Sequence, residues 1–386
     1  MFSEIRPYYA EINIDNFRNN IKEIKKIAMG RSIIAVIKAD AYGHGAVELS
    51  RVLEDEGIDY VAVAVLSEAL ELRRGGYSGS ILILGYTPSN FVSELIKNDI
   101  TQSVFSYELA EAISKEAQKQ GKTAKIHIAL DTGMSRIGFL YEEKSIEEIK
   151  RIALLKNIYL EGIFTHFSTA DELDKTFSNI QHERFKKMVE RLSNEGINFE
   201  IKHIANSAAI IDMPETLYNA VRPGIILYGY YPSNTVNKQR LNLKPIMTLK
   251  AKVVHVKEVP KNTPISYGRR YTTKKTTKIA TLPFGYADGY SRAMAGKGKV
   301  IVNGKLAPVI GTICMDQCMV DVSECGDVNI GDEVVVMGEE DGLSNNADFI
   351  ANALNTINYE VLCMVSKRVP RVYIEDNKII KIKNYI

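Results

Sequence analysis

Four residues that can act as bases or bind anions stand at the ends of apolar, strand-like segments of the chain or in the loops that follow them. Lys38 follows IIAVI, Arg136 follows KIHIAL in the segment DTGMSR, His166 ends the segment containing FTH, and Arg222 precedes PGIILYG. A lysine amine can be a nucleophile or a proton acceptor, and a guanidinium can bind a carboxylate or polarise a ring nitrogen. Each residue alone is more simply a surface cation or a core histidine. Their importance depends on whether the fold brings them together.

The alternation of elements in the first 241 residues predicts a (β/α)8 barrel. Apolar runs alternate with amphipathic helical segments such as VELSRVLEDEG and SYELAEAISKEAQKQG. In this fold the catalytic residues lie at the carboxyl ends of the strands, so the four residues above would surround one barrel mouth. The predicted strands are residues 33–37, 60–65, 81–84, 102–105, 125–130, 159–166, 199–206 and 220–224.

Two segments at the predicted mouth could bind a phosphate. HIANSAA places Asn206 and Ser207 where the seventh strand meets a helix N-terminus, and VRPGIILYG places Gly224 and Ile225 after the eighth strand. The loops after strands 7 and 8 are the usual phosphate site of this barrel, although Gly224 could equally serve a turn. Together with Lys38 they indicate pyridoxal phosphate held as a Schiff base, with the pKa of the amine lowered by neighbouring cations and partial burial.

Residues 242–386 predict a second, mainly antiparallel β domain. Short runs such as KVVHVKEV, KVIVNG and DEVVVMG are separated by Gly, Pro and Asn, and one helical segment, NNADFIANAL, interrupts them. We therefore expect residues 1–241 to form the barrel that binds pyridoxal phosphate and residues 242–386 to form a separate β-rich domain.

The composition excludes several classes of function. The 386 residues carry 49 basic and 47 acidic side chains, a net charge of +2, which gives no electrostatic basis for binding nucleic acid or a membrane. The sequence contains no run of the roughly 18 apolar residues that a membrane span needs, and MFSEIRPYY lacks a signal-peptide core. The four cysteines form neither a disulfide framework nor a zinc pattern. We expect a cytoplasmic protein without a metal site.

Nine segments in both predicted domains resemble the alanine racemases. They are AVIKADAYGHG, LDTGMSRIGF, FTHFSTAD, HIANSAA, VRPGIILYG, ISYG, LPFGYADGY, GTICMDQCMVDV and TINYEVLCMVSKRVPR. The resemblance covers essentially the whole chain and implies a barrel-plus-β architecture with pyridoxal phosphate as cofactor. It also implies interconversion of L- and D-alanine for peptidoglycan synthesis, by a homodimer whose active sites combine residues of both chains.

The resemblance further implies roles for individual residues. Lys38 would bind the cofactor and accept the α-proton of D-alanine, and Tyr267 in ISYG would be the opposite base, acting on L-alanine. Arg136, the backbone of Met315 and Tyr286 would contact the substrate. The cofactor-binding residues would be Lys38, Tyr42, His166, Asn206, Ser207, Arg222, Gly224, Ile225 and Tyr359.

The chemistry of racemisation is consistent with these roles. A planar carbanion needs a proton donor on each face, so two opposed bases suffice. The pKa of free tyrosine is about 10, so Tyr267 would need nearby positive charge, and His166 would lie between it and Arg222. Arg222 is permanently protonated and would donate to the pyridine nitrogen without protonating it, which should suppress transamination.

One position departs from the family pattern. Many members carry a carboxylated lysine seven residues before the arginine of the MSR motif, and it steadies that arginine. Here this position is Ala129, whose methyl group accepts no hydrogen bond. If Arg136 were buried, leaving its charge unpaired would cost on the order of several kcal/mol. We therefore expect chloride, water or a nearby carboxylate to take the place of the missing anion.

Three alternative functions remain open from the sequence. A racemase of serine or of several amino acids would share these motifs, and a decarboxylase would share the architecture. Such decarboxylases place a carboxylate against the pyridine nitrogen, where this chain has Arg222. A non-catalytic pyridoxal phosphate carrier made of the barrel alone would lack the β-rich residues that contain ISYG and CMDQ.

Overall fold

The computed structural model describes residues 5–58 and 60–385. These residues form two compact units, which we call the barrel unit and the β unit. The barrel unit comprises residues 18–41 and 45–244, and the β unit comprises residues 5–17, 42–44 and 245–385.

The described residues of the barrel unit form one parallel sheet of nine strands, and eight of these are the strands that the alternating pattern predicts. A short strand, β7, pairs only with β6, and the others follow the order β10-β2-β3-β4-β5-β6-β8-β9. The amide of Arg222 donates to the carbonyl of Ala205 (2.9 Å) and joins the two ends of this order. The strands are β2 (Ser32–Val36), β3 (Tyr60–Val63), β4 (Ser80–Ile83), β5 (Thr101–Val104), β6 (Ala124–Asp131), β7 (Phe139–Leu140), β8 (Ile158–Phe164), β9 (Ile201–His203) and β10 (Ala220–Val221).

The last two strands are shorter than the sequence indicates. The seventh was predicted over residues 199–206 and the eighth over 220–224, but β9 and β10 contain three and two residues. Pro223 lacks the N–H group that would continue a strand ladder. Asn206 instead caps the following helix, because its side chain accepts from the amide of Ala209.

Helices follow most of these strands and bury one face each. In the sixth helix, Ser106 caps the N-terminus and apolar residues spaced three and four apart are buried, as an amphipathic helix requires. The helices are α1 (Ile14–Ala28), α2 (Lys38–Gly43), α3 (Ala46–Asp55), α4 (Leu66–Arg74), α5 (Val92–Lys97), α6 (Tyr107–Lys119), α7 (Glu143–Ala153), α8 (Thr176–Asn194) and α9 (Ser207–Asp212).

The β unit is mainly antiparallel, as predicted. Its principal sheet has the order β12-β15-β18-β17-β16-β19-β11-β1-β21-β22, with β20 on β19, and β13 pairs with β14 separately. The strands are β11 (Met247–Lys252), β12 (His255–Val259), β13 (Pro264–Ile265), β14 (Tyr271–Thr272), β15 (Thr277–Leu282), β16 (Lys299–Val302), β17 (Lys305–Ile310), β18 (Cys318–Asp321), β19 (Glu333–Glu340), β20 (Leu343–Asn345), β21 (Arg371–Glu375) and β22 (Lys378–Lys383).

Two elements of the β unit differ from the sequence prediction. The N-terminal strand β1 (Tyr8–Asn13) was assigned to a barrel domain of residues 1–241, but it pairs with β11 and β21. The predicted helix is α10 (Ala347–Leu354), capped by Asn346, and an unpredicted helix α11 (Asn358–Met364) follows it.

No helix of residues 5–58 and 60–385 is long and apolar enough to cross a membrane. The same ranges contain no group of His, Cys, Asp and Glu side chains that could hold a metal ion. Within the described residues, Cys314, Cys318, Cys325 and Cys363 form no disulfide bond.

Candidate active site

Lys38 begins α2, which is a left-handed helical turn at the carboxyl end of β2. The φ angles of Ala39, Asp40, Ala41 and Tyr42 lie between 52° and 54°, and that of Gly43 is 81°. The left-handed conformation costs a non-glycine residue roughly 1–2 kcal/mol. Surrounding contacts must therefore impose this turn on the four residues that follow Lys38.

Carboxylates hold the amino-terminal part of the turn. Glu68 of α4 accepts from the amide of Ala39 (2.6 Å) and from the amide of Ala64 (2.8 Å). Asp40 accepts from the amide of Gly45 through its carbonyl and from the amide of Ala46 (2.8 Å) through its side chain. These bonds fix the peptide that follows Lys38.

The end of the turn is fixed within the β unit. Buried Arg371 donates from Nε to the carbonyl of Gly43 (2.8 Å), and the hydroxyl of Tyr373 donates to the carbonyl of His44 (2.9 Å). A Cβ at Gly43 would lie 2.7 Å from the carbonyl oxygen of Leu362, so the close approach as well as the positive φ requires glycine there.

Arg222 is the most heavily bonded cation of the barrel mouth. It is only 3% exposed, and Nη1 donates to Nδ1 of His203 (2.8 Å) and to the carbonyl of the same residue. Nη2 donates to the carbonyl of Thr165 (2.8 Å) and lies 3.3 Å from Nδ1 of His166. Nε donates to no acceptor among the described residues. This side chain thus keeps one N–H group for another molecule.

The histidines beside Arg222 are neutral. Burial lowers the pKa of His166 to about 3, with the positive charges of Arg222, Arg136 and Lys38 acting in the same direction. Burial and the charge of Arg222 also lower the pKa of His203. Burial lowers the pKa of Arg222 to about 9, which leaves it protonated at neutral pH. His166 can therefore accept a hydrogen bond from Arg222 through Nδ1.

The two predicted phosphate segments meet in the structure. Oγ of Ser207 accepts from the amide of Gly224 (2.9 Å), which leaves the hydroxyl proton available to donate elsewhere. Ser207 begins α9 and Ile225 begins the short helix Ile225–Tyr228, whose first N–H groups have no intrahelical acceptors. The side-chain oxygen of Asn206 caps α9.

Arg136 lies in a tight loop between β6 and β7. Oδ1 of Asp131 accepts from the amides of Gly133 (2.9 Å) and Ser135 (3.0 Å), which shapes the loop. Arg136 is exposed, and within residues 5–58 and 60–385 it forms no ion pair. The cost of an unpaired buried charge therefore does not apply to Arg136 in the single chain, whereas Ala129 is buried.

Tyr42 and Tyr359 come together within the β unit. Tyr42 is buried, Tyr359 is half-buried on α11, and their ring centroids lie 6.0 Å apart. Burial raises the pKa of Tyr42, so its hydroxyl stays protonated and can donate.

Tyr267 projects from a strained turn of the β unit. Its side chain is 69% exposed, and Ser266 before it has a φ of 63°. The hydroxyl of Thr312 donates to the carbonyl of Tyr267 (2.8 Å), and Ser266 donates to the carbonyl of Thr312 (2.5 Å). These two bonds fix the backbone that carries the exposed phenol.

Tyr286 and Met315 lie on adjoining loops of the same unit. The amide of Tyr286 donates to the carbonyl of Cys314 (3.1 Å). The side chains of Tyr286 and Met315 are exposed. A Cβ at Gly285 would lie 2.4 Å from the carbonyl oxygen of Met315, so only glycine allows the two loops to approach. Tyr267 and Cys314 line the same groove of the β unit.

Comparison with known proteins identifies the family. Residues 12–232 match the model of the alanine racemase N-terminal domain, and residues 246–373 match that of the C-terminal domain. The chain belongs to the alanine racemase family. An alanine racemase of Clostridium novyi (strain NT) is 55% identical over 387 residues, covering 100% of both chains.

Solved structures of alanine racemases share the fold. The alanine racemase of Clostridium difficile 630 matches with a TM-score of 0.96 and 48% identity, covering 98% of this chain and 99% of that chain. A histidine racemase from Leuconostoc mesenteroides subsp. sake matches with a TM-score of 0.89 and 26% identity, covering 97% and 99%. Because racemases of different amino acids share the fold, the substrate must be argued from the site.

Sequence reasoning missed several residues that support the alanine racemase site. Glu68 holds the turn after Lys38, and His203 holds Arg222. Gln181 of α8 donates to the carbonyl of His166 (3.0 Å). His203 could have been noticed, because a histidine within an apolar strand run is unusual. Glu68 and Gln181 could not, because glutamate and glutamine are common in helices.

The neutral histidines predict a loss of stability in mild acid. The folded-state pKa values of His166 and His203 are lowered, so below pH 6.5 the unfolded chain binds protons that the folded chain does not. As the pH falls below 6.5, the free energy of unfolding should decrease by up to about 1.4 kcal/mol per pH unit for each of these two histidines. Urea unfolding of the enzyme at fixed concentration, between pH 8 and about 5, measures this.

An exposed histidine supplies the control for this prediction. His255→Asn should leave the pH dependence of unfolding unchanged, because the side chain is exposed on β12. A free energy of unfolding independent of pH below 6.5 would contradict the assignment of neutral buried histidines.

Proposed function

We propose that this protein interconverts L-alanine and D-alanine with pyridoxal phosphate as cofactor, and so supplies D-alanine for peptidoglycan. The observation that carries the proposal is the 55% identity to an alanine racemase over the full length of both chains. Three residues with proposed roles lie within the family motifs of this chain: Lys38 in AVIKADAYGHG, Arg222 in VRPGIILYG and Tyr267 in ISYG.

The donors of the barrel mouth fit pyridoxal phosphate. The hydroxyl proton of Ser207 and the amides that begin α9 and the helix Ile225–Tyr228 are suited to phosphate oxygens. The spare Nε–H group of Arg222 is suited to a pyridine nitrogen, because a guanidinium donates without releasing its proton. Tyr42 and Tyr359 would add two hydroxyl donors to the phosphate.

The two bases act on opposite faces of Cα of the substrate. When bound, pyridoxal phosphate supplies an electron-accepting ring that lowers the barrier to removing the α-proton. Lys38 would accept or return the proton on the face used by D-alanine, and Tyr267 would do so on the face used by L-alanine. Arg136 and the backbone amide of Met315 would orient the substrate carboxylate.

Alanine should be the preferred substrate. Met315 and Tyr359 are bulky residues that would face the β-carbon of the substrate, and a longer side chain would overpack the site at a cost of about 1–3 kcal/mol. Incubating the holoenzyme with single L-amino acids and separating the enantiomers should give kcat/KM for alanine about 10-fold or more above that for serine, lysine or histidine. Equal turnover of serine would favour the broader racemase instead.

The exposed residues of the β unit support a dimer with shared sites. Tyr267, Met315 and Tyr286 are 69%, 52% and 42% exposed in the single chain. Neighbouring exposed apolar side chains of this kind are typical of surfaces that a partner covers. We infer that the partner subunit of a homodimer completes each site with Tyr267.

Shared sites predict complementation between two inactive variants. Lys38→Ala and Tyr267→Phe proteins, mixed, unfolded and refolded, should regain about a quarter of wild-type activity, because half of the dimers are mixed and each has one intact site. Mixing the folded dimers without subunit exchange serves as the control. Failure to regain activity, with mixed dimers verified by mass spectrometry, would count against sites shared between chains.

Two features of the proposal remain predictions. Chloride, water or a nearby carboxylate would accompany Arg136, because Ala129 cannot replace the carboxylated lysine. The cytoplasmic location follows only from the sequence. The carrier and decarboxylase alternatives are not favoured, since the chain covers the full length of its racemase relatives.

A further inference from the structure

A line of buried polar side chains extends from Arg222 into the barrel. Nε2 of His203 lies 2.8 Å from Nδ1 of His127, and Nε2 of His127 lies 3.0 Å from Oε2 of Glu161. Both histidines are fully buried, and Glu161 is 5% exposed. Of this line only Arg222 is proposed to contact the cofactor, so the function described above does not use His127 or Glu161.

The direction of every hydrogen bond in this line is determined by its two ends. Arg222 can only donate, so Nδ1 of His203 accepts and its proton must be on Nε2. That proton is donated to Nδ1 of His127, whose own proton is then on Nε2 and is donated to Glu161. An ionised carboxylate can only accept, so the far end requires the same direction.

Glu161 is held as an anion at the far end of the line. The hydroxyl of Tyr60 donates to Oε2 of Glu161 (2.8 Å), and Nζ of Lys125 lies 2.9 Å from Oε1. Burial alone would raise the pKa of Glu161, but the bonds from His127, Lys125 and Tyr60 lower it to about 2. Lys125, the second residue of β6, is 44% exposed, so the line crosses the barrel to solvent.

The surroundings of the line fit these side chains closely. A Cβ at Gly162 would lie 2.6 Å from Nδ1 of His127, so glycine makes room for this ring. The ring of His203 stacks on Phe164, with centroids 4.9 Å apart and planes 14° apart. The guanidinium of Arg222 lies 5.3 Å from the centroid of the same phenyl ring. These contacts confine the planes of both imidazole rings.

We propose that His127 and Glu161 are positioning residues that hold Arg222, through His203, in the single orientation that leaves its Nε–H group for the cofactor ring. The carboxylate fixes the tautomers of both histidines, and these tautomers place an acceptor against Nη1 of Arg222. The identity of the ring rests on the proposed function, whereas the direction of the hydrogen bonds does not.

The tautomers provide the first test. In holoenzyme containing ¹⁵N-labelled histidine, with signals assigned by single substitutions, both His127 and His203 should carry a proton on Nε2 and none on Nδ1. This state should persist throughout the pH range in which the enzyme is folded. A ring protonated on Nδ1, or on both nitrogens, at either position would overturn the proposal.

Glu161→Gln tests whether the far end controls Arg222. With the amide oxygen of the new glutamine facing Lys125, its NH2 group faces Nε2 of His127. Nε2 of His127 must then accept, so the protons of both histidines move to Nδ1. The N–H group at Nδ1 of His203 would then face the N–H group of Arg222, and the hydrogen bond between them would be lost. We expect the ¹⁵N signals of His203 to shift and kcat for alanine to fall about 10-fold to 100-fold, as when outer-shell partners of a ligand are lost, with little change in KM. Gly162→Ala, which retains every polar group but crowds His127, should act in the same direction.

A second readout separates positioning from a general loss of structure. If Arg222 no longer occupies the ring nitrogen, water can protonate it, and more turnovers should transfer the amino group of alanine to the cofactor and release pyruvate. Thr87→Val is the matched control, because it removes another buried hydrogen bond of the barrel (Thr87 Oγ1 to Gln102 Oε1, 2.6 Å) outside the line. It should change neither the His203 signals nor the pyruvate ratio.

The outcomes distinguish the inference from the proposed function. A wild-type enzyme that fails to racemise alanine would refute the proposed function and leave the tautomer result standing. Folded Glu161→Gln and Gly162→Ala variants with wild-type kcat, pyruvate ratio and His203 signals would overturn the positioning role.

Discussion

Replacing Lys38 with alanine should abolish racemisation, with a loss of more than about 10⁴-fold in kcat. The substitution removes both the amine that would bind the cofactor and the base for the face of Cα used by D-alanine. Activity is measured with L-alanine and D-alanine separately, by chiral chromatography of the product. Lys97→Ala, at an exposed lysine at the end of α5, should leave kcat unchanged and serves as the control.

The cofactor itself reports on the same substitution. Wild-type protein should be yellow, and borohydride reduction should leave the mass of the cofactor on the peptide that contains Lys38. The Lys38→Ala protein should lose both features. The cofactor mass on a different lysine of the wild-type protein would show that the assignment of Lys38 is wrong.

Tyr267→Phe should lower racemisation in both directions by about 10² to 10⁴-fold, the usual contribution of a positioned acid or base. The two enantiomers should differ in the exchange of their α-protons with solvent, because Lys38 is intact in this variant. D-alanine should still exchange its α-proton with deuterium from D2O, whereas L-alanine should not. Proton NMR of each enantiomer, incubated with the variant dimer, measures both exchange rates.

A nearby tyrosine provides the control for this result. Tyr271→Phe, on β14, removes a phenol oxygen four residues further along the same segment and should leave both exchange rates unchanged. Exchange of the L-alanine α-proton by Tyr267→Phe at the wild-type rate would exclude Tyr267 as the base on that face.

The barrel was predictable because its strands are short apolar segments of the sequence that alternate with helical segments. All eight runs became strands, from β2 to β10, since burial of both faces of a parallel strand leaves little choice of residue. The N-terminal strand β1 was not predicted, and its residues were placed in the barrel domain because the sequence does not show which sheet they join. Its partners, β11 and β21, are more than 200 residues away along the chain.

The turn after Lys38 could not be predicted from its residues. Ala39, Ala41 and Tyr42 have no local preference for positive φ, and only Asp40 tolerates it readily. The conformation depends on partners distant in sequence, such as Glu68 and Arg371, which bond to its two ends. Tertiary contacts therefore override the local preference in the turn that follows Lys38, the residue proposed to bind the cofactor.

The line behind Arg222 was only partly visible in the sequence. His127 and Glu161 are polar residues within apolar strand runs, which signals an inward-facing group that needs a partner. Which residues become partners depends on the register of β6 and β8, which sets His127 opposite Gly162. Only the structure provides that register.

Deuterium incorporation during a single conversion tests the central claim of two opposed bases most directly. The wild-type holoenzyme is incubated with protiated L-alanine in D2O, and the first D-alanine formed is isolated and analysed by mass spectrometry. If Tyr267 removes the α-proton and Lys38 donates on the other face from exchanged solvent protons, nearly every D-alanine molecule should carry deuterium at Cα. Early D-alanine that retains most of its protium would mean that one base serves both faces, and would contradict the account.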